Sequence, residues 1–314
     1  MVWGLLLSGF LTFVELNCEN LFDYLHDEDK ADVEYLPEAT RHWTKKRYWQ
    51  KLNNIAQELL SCSEDGIPDL IALCEIENDS VMRDLSKRSL LRNAGYEYLI
   101  TQSPDVRGID VALLYAPFSF SPIVSYPICV EPVEDMRPTR DILYVCGQTV
   151  SGDSLHVFVV HAPSRYGGTR YSRPFRQAAI ARLCQSIDSI QTRNPDAQIV
   201  VAGDFNDGPE SDTFQPLYQK GISNLTAEAR GDNGVKGTYR YQGEWERIDH
   251  IMGSHSITNK VDTSFIHAPL FLLEDDVTYG GYKPRRTYNG MRYQPGYSDH
   301  LPLVVRFRDY KELK

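Results

Sequence analysis

The sequence predicts an α+β protein in which two β-sheets pack face to face with helices outside. Three observations lead there. Strand-like apolar runs and helical stretches interleave from one end to the other without a break in composition. No internal repeat or low-complexity linker divides the 314 residues, so one domain over 1–314 is expected. Nineteen Tyr and twelve Phe suit half-buried pleated surfaces.

The elements follow in order. Residues 11–16 read as the first strand. The apolar stretch 1–13 runs straight into it, with no Lys or Arg ahead and no clear small-x-small cleavage site. This favours a strand over a signal peptide. Residues 44–60 read as an amphipathic helix, with Tyr48, Leu52, Ile55 and Leu59 at three- and four-residue spacing. Residues 69–74 are a short buried strand, and 80–92 a second helix capped by Asp79 or Ser80. Strands follow at 110–115, 142–150 and 155–160, the last two joined by the turn Ser151-Gly152-Asp153-Ser154. A third helix spans 173–192, with Pro174 in its first turn. Residues 198–202 form an apolar strand, and 238–241, 247–252 and 303–307 later ones. Residues 269–295 read as a loop-rich insertion.

Composition sets limits. The formal charge of -10 argues against a nonspecific nucleic-acid coating protein, whose affinity comes from neutralising phosphates. It leaves a nuclease open, because metal-holding carboxylates are themselves acidic. No run reaches the roughly 20 apolar residues of a membrane helix. The six Cys, at 18, 62, 74, 129, 146 and 184, form no CxxC pair or Cys/His cluster, which argues against zinc. Cys18, Cys74 and Cys146 read as small buried hydrophobes. A reducing, cytoplasmic setting is expected over a secreted one.

Several strands end in a carboxylate, Asn or His, as a scaffold does when it gathers groups at a shared rim. After the apolar strand at 200–202 come Gly203, Asp204, Phe205, Asn206 and Asp207. In an extended chain Asp204 and Asn206 share a face. They either hold a metal-bound phosphate and a water, or simply make a turn. Asp299 and His300 precede the final strand, pairing a carboxylate with an imidazole that titrates near neutrality. The alternative is a satisfied strand start. Asp249 interrupts the apolar run Arg247-Ile248-Asp249-His250-Ile251, where a carboxylate needs a partner. A catalytic His fits, oriented as in a triad. Glu75 ends the second strand as a hard oxygen ligand suited to Mg²⁺ or Mn²⁺. Glu77 lies two residues on, as a supporting or a solvated group. Asn17 ends the first strand and either binds phosphate or a metal-bound water, or caps a turn.

In that order, Asn17, Glu75, Asp204 with Asn206, Asp249, and Asp299-His300 resemble the endonuclease/exonuclease/phosphatase superfamily. That group includes deoxyribonuclease I, exonuclease III, abasic-site endonucleases, neutral sphingomyelinases and inositol polyphosphate 5-phosphatases. The resemblance covers about residues 11–307, and its Gly-Asp-Phe-Asn, Ile-Asp-His and Ser-Asp-His segments are specific as a set. It implies a deoxyribonuclease I-like four-layer α/β/β/α sandwich with the site at one rim of the sheets. It implies Mg²⁺ or Mn²⁺ on Glu75, helped by Asn17 and Asp299. Asp204 and Asn206 would align or activate the attacking water. His300, oriented by Asp249, would contact the scissile phosphate. His161, after its strand, matches a His that contacts phosphate or acts as acid in the deoxyribonuclease I-like branch. Asp110 is expected to orient His161, or else to cap its loop.

The expected partner is a phosphoester, nucleic acid or nucleotide first, cleaved by in-line attack of water. A phosphatase acting on a small molecule or an inositol or lipid head group is the alternative. A non-catalytic binding scaffold would be marked by loss of Glu75, Asp204 or His300, and all are present. A monomer is expected. Arg140, Arg165 and Arg286 are the substrate-binding candidates, since Arg binds phosphate bidentately; Arg137, Lys283 and Arg285 lie nearby in sequence. Tyr288 and Tyr293 either stack on a base or sugar or anchor their loop. Lys45, Lys46 and Arg47 read as a solvated helix face, Tyr48 and Trp49 as core.

Overall fold

The computed structural model describes residues 9–64 and 66–309. Residues 1–8 of the apolar leader stretch lie outside that range, and the first strand is longer than expected, β1 at Phe10–Leu21. In chain order there follow helix α1 (Lys45–Leu60), β2 (Leu70–Ile76), α2 (Asp79–Lys87), β3 (Glu97–Ile100), β4 (Asp110–Tyr115), β5 (Phe120–Ile128), β6 (Ile142–Thr149), β7 (Ser154–His161), α3 (Thr169–Arg193) and β8 (Gln198–Asp204). Then come α4 (Gln215–Gln219), β9 (Ile222–Asn224), β10 (Tyr239–Tyr241), β11 (Glu244–Glu246), β12 (Asp249–Ser254), α5 (His255–Thr258), β13 (Val261–Ile266), β14 (Leu273–Asp275), β15 (Tyr282–Pro284), β16 (Tyr288–Asn289), β17 (Arg292–Tyr293) and β18 (Leu303–Arg308).

Two six-stranded sheets form the centre, ordered β13-β18-β1-β2-β4-β3 and β5-β6-β7-β8-β12-β9. Phe13, Ala72, Leu113 and Val305 of the first meet Val145, Val159, Val200 and Ile251 of the second. The alternate residues of the first sheet, such as Val14, Ile71 and Val304, pack with α1 and α2 around Leu52, Ile55 and Val81. Those of the second, such as Phe158 and Val201, pack with α3 around Ile180 and Leu183. Period-two side chains thus feed three apolar seams, and the four-layer sandwich follows.

Differences from the sequence reading have local causes. The second helix stops at Lys87, and a separate 3₁₀ turn, Leu90–Asn93, is capped by Ser89. Asn78, not Asp79 or Ser80, caps α2, accepting from the Val81 N–H at 3.0 Å. Helix α3 begins at Thr169, leaving Pro174 inside it rather than at its start. Strand β5 was unexpected, because Pro122 and Pro127 lie within it; as an edge strand it tolerates their missing donors. Residues 269–295 hold the small ribbons β14-β15 and β16-β17. Cys146 is only half-buried, since it alternates onto the outer side of β6.

Two backbone features aim the rim. Gly203 has φ +146°, and a Cβ there would lie 1.8 Å from the Val160 carbonyl oxygen, so β7 and β8 close up only on a glycine. Glu19, Asn20, Glu75 and Asn206 all have positive φ, and register shifts break the β1–β2 and β2–β4 pairings at these ends. Left-handed non-Gly residues gathered at one rim are typical of a functional edge. No helix among the described residues is long and apolar enough to cross a membrane.

Candidate active site

Strand register brings the predicted groups together. His161 and Asp249 are the β7 and β12 neighbours of Asp204 on either side of β8. Asn17 leaves β1 in the facing sheet and donates from Nδ2 to Asp204 Oδ2 at 3.1 Å. His161 Nε2 lies 3.6 Å from the same oxygen and 3.9 Å from Glu75 Oε1. The Asn206 N–H donates to Asp204 Oδ1 at 2.8 Å, which fixes the carboxylate at its other end. His300 shares a hydrogen bond of 2.8 Å between Nδ1 and Asp249 Oδ2, and the Thr238 hydroxyl donates to the same oxygen. The Tyr239 ring covers the imidazole at 4.9 Å. His300 Nε2 is left facing Asp299, whose Oδ1 is 4.0 Å away.

Burial separates the protonation behaviour of these groups. Desolvation, reinforced by Asp249, pushes the Asp204 carboxyl up to about 7. Burial alone would lower His300, yet Asp249, Asp299 and Asp204 together hold it well above the usual imidazole range. Burial, with Arg140 and Arg107, drives His161 well below that range, so it is a neutral ring; its Nδ1 is buried without a partner. One imidazole is therefore kept charged and the other neutral at a single rim.

Two donor sets for a cation meet here. Asp204, Asp249 and His300 bring ligand atoms within 4.8 Å of one another. However, Asp249 Oδ2 and His300 Nδ1 are engaged with each other, and Asn17 holds Asp204. Glu75 offers hard oxygens with 12% of its side chain exposed, open enough for a partly hydrated Mg²⁺ or Mn²⁺. Its Oε2 is held by the Asn20 N–H at 2.7 Å. Asp299 is held at 3.0 Å by Arg286, which also reaches Glu19 at 3.2 Å. These donors suit a divalent ion.

Other expectations are corrected. Asp110 does not orient His161: its Oδ1 accepts from Thr101 at 2.6 Å and the Ser103 N–H at 2.9 Å, so it holds the loop before β4. Arg140 is buried, and each of its three nitrogens is engaged, by the His161 carbonyl, Asp105 and the Ala162 carbonyl. It shapes the His161 corner rather than facing substrate. Arg165 is paired with Glu246. Glu77 accepts from the Asp23 N–H at 2.6 Å, beyond the register shift at Glu75, whose φ is positive. Tyr288 and Tyr293 anchor their loop, each packing on the other at 5.6 Å.

Sequence reasoning missed three residues. Arg107 stands half-exposed with a guanidinium nitrogen 3.6 Å from Glu75 Oε1. Glu15 is fully buried beneath the rim, neither carboxyl oxygen has a partner, and burial followed by Asp249 and Asp204 holds it neutral. Its signal was available: it sits two residues before Asn17 on one strand face. Glu19, at the β1 bulge, gathers Thr287, Lys51 and Arg286. Beyond Glu19 opens a cavity of about 250 Å³, lined by Asn20, Tyr35, Arg41, Trp43, Arg286 and Tyr288 among others.

The family model described as "Endonuclease/Exonuclease/phosphatase family" matches residues 12–309. Solved structures with the same fold include a Bacteroides thetaiotaomicron protein of that family, at TM-score 0.63 and 17% identity, covering 95% of this chain and 97% of the other. A mannosyl-6-phosphatase from the same organism aligns at TM-score 0.62 and 18% identity, over 94% and 98%. The human Nocturnin catalytic domain with bound sulfate aligns at 0.59 and 16%, over 95% and 93%. No curated protein sequence matches the chain.

Proposed function

The chain belongs to the endonuclease/exonuclease/phosphatase family, and from that premise we propose a metal-dependent phosphoester hydrolase that attacks with water, preferring a diester. The observation that carries this reading is the 2.8 Å Asp249–His300 pair set beside Asp204. Above pH about 7 Asp204 is ionised and accepts the proton of the attacking water, which Asn206 helps to align. His300, kept protonated by Asp249, directs positive charge at a phosphoryl oxygen. Neutral His161 contributes a ring nitrogen beside Asp204 and Glu75. Glu75, with Asn17 and Asp299, would hold a divalent ion, which when bound would neutralise charge on the phosphate and its leaving oxygen.

The test is turnover of bis-(p-nitrophenyl) phosphate beside p-nitrophenyl phosphate, with Mg²⁺, Mn²⁺ or EDTA. The diester should turn over faster, stop in EDTA, and slow by about a hundredfold or more in His300→Ala. A monoester preference would favour a phosphatase for small phosphorylated molecules, a second reading supported by the cavity of about 250 Å³ beside Glu19. Absence of turnover with any metal, on these and on nucleic acids and sugar phosphates, would reject hydrolysis in favour of a binding scaffold.

A further inference from the structure

We propose that the cavity beside Glu19 receives a second anionic group of the substrate, with the Arg41 guanidinium as its recognition element. The substrate class is then a compact organic phosphoester bearing another phosphate or carboxylate. This rests on the phosphoester reading above and makes it more specific.

The argument starts from how Arg41 is held. Its guanidinium carbon lies 5.4 Å from the Tyr35 ring centre and 4.9 Å from that of Tyr288, so aromatic faces fix the plane. Its Nε donates to Glu34 Oε2 at 2.8 Å. Among the described residues neither terminal nitrogen has a protein hydrogen-bond partner. The side chain retains 22% of its exposure and lines the cavity. An arginine clamped by its plane and its Nε alone presents a pre-set fork, the geometry that grips phosphate or carboxylate bidentately.

Another arginine shows the contrast. Arg176 uses Nε on Asp207, Nη1 on Ser172 and Nη2 on the Thr169 carbonyl. That fork is closed by protein and that of Arg41 is open.

Two residues of the cavity wall also hold groups of the catalytic rim. Asn20, on its wall, holds Glu75 through its backbone N–H. Arg286, on the same wall, holds Asp299. A ligand whose scissile phosphate meets Glu75 and whose second anion meets Arg41 would lie along this shared wall. The volume of about 250 Å³ is at the small end for ligand pockets and excludes a bulky body.

Titration calorimetry of the full chain in EDTA tests this without needing turnover. A failed hydrolysis assay and a failed pocket are therefore separate results. The probes are glucose 1,6-bisphosphate, glucuronic acid 1-phosphate and, as reference, glucose 1-phosphate. At least one doubly anionic sugar should bind about tenfold tighter than the reference. The one that gains more identifies the second anion. Arg41→Met should reduce the advantage to less than about twofold. In the wild type the advantage should also shrink as salt is raised about tenfold, which keeps the test open if the variant does not fold. Equal or absent binding of all three sugars overturns the proposal. So does an advantage that survives both Arg41→Met and high salt.

Discussion

At the catalytic rim nearly every important side chain leaves the end of a long strand, whereas the neighbouring cavity is walled by loop residues near 35–43 and 286–290 and by the β1 bulge. Strand ends position by register: His161, Asp204 and Asp249 are adjacent because three backbones are paired. The cavity has no such ruler. Its walls are tied by buried polar contacts, above all Lys51, whose Nζ reaches Thr287 Oγ1 at 2.8 Å, the Tyr297 carbonyl and, at 3.4 Å, Glu19. The first arrangement is rigid by geometry. The second is only as rigid as its least satisfied charge.

Breaking the rim should cost activity without structure. Asp204→Asn is nearly isosteric and should lower kcat by about 10²–10⁴-fold. Because burial raises the Asp204 carboxyl to about 7, the stability of its neutral form is full near pH 4 and is lost as pH rises through about 7. The variant should therefore melt at a higher temperature than wild type at pH 8, and at the same temperature at pH 4. A lower melting temperature at pH 8 would show that the rim also holds the fold together.

Breaking the cavity should do the reverse. Lys51→Met removes the buried cation that ties Glu19, Thr287 and the Tyr297 carbonyl, leaving Glu19 to Arg286 and the Thr287 N–H, and should destabilise by about 1–3 kcal/mol. Steady-state kinetics should show KM rising more than kcat falls, since the catalytic strands are untouched. An equal loss in both would erase the distinction between the regions.

The smallest effect sharpens the comparison. Glu58 is fully buried on α1, neither of its oxygens has a partner, and burial pushes it up to about 8, with Lys51 opposing. Its folded carboxyl lies above the unfolded value, so its stabilisation is complete near pH 4 and fades as pH rises through about 8. Glu58→Gln should stabilise the fold at pH 9 by on the order of 1 kcal/mol or more, read as a higher melting temperature, and change little at pH 4. Thermal scans at the two pH values check it.

These regions also differ in how far they could be read from sequence. Asp204, Asp249 and His300 were legible because a polar residue ending an apolar run needs a reason, and period-two alternation says which face it joins. Asp110 and Arg140 were misassigned because chain proximity to a strand end does not fix a side chain's partner. Asp110 turned to Thr101 and Ser103, and Arg140 to carbonyls. The backbone conformation at Glu75 was invisible, since nothing in a Glu residue announces a positive φ. Arg41 was hidden for another reason: Tyr288, which stacks on it, is 247 residues away.

One feature of the first sheet reaches beyond catalysis. Strand β18, the last among the described residues, inserts between β13 and β1. The hydroxyl of Ser298, just ahead of it, donates to the Asn17 carbonyl across 281 residues. The flank of β1 that faces β18 can pair only once residues 303–308 have been made, so closure of that sheet is highly non-local. The segments carrying Asn17 and His300 are joined at the same step, through the Ser298 hydroxyl.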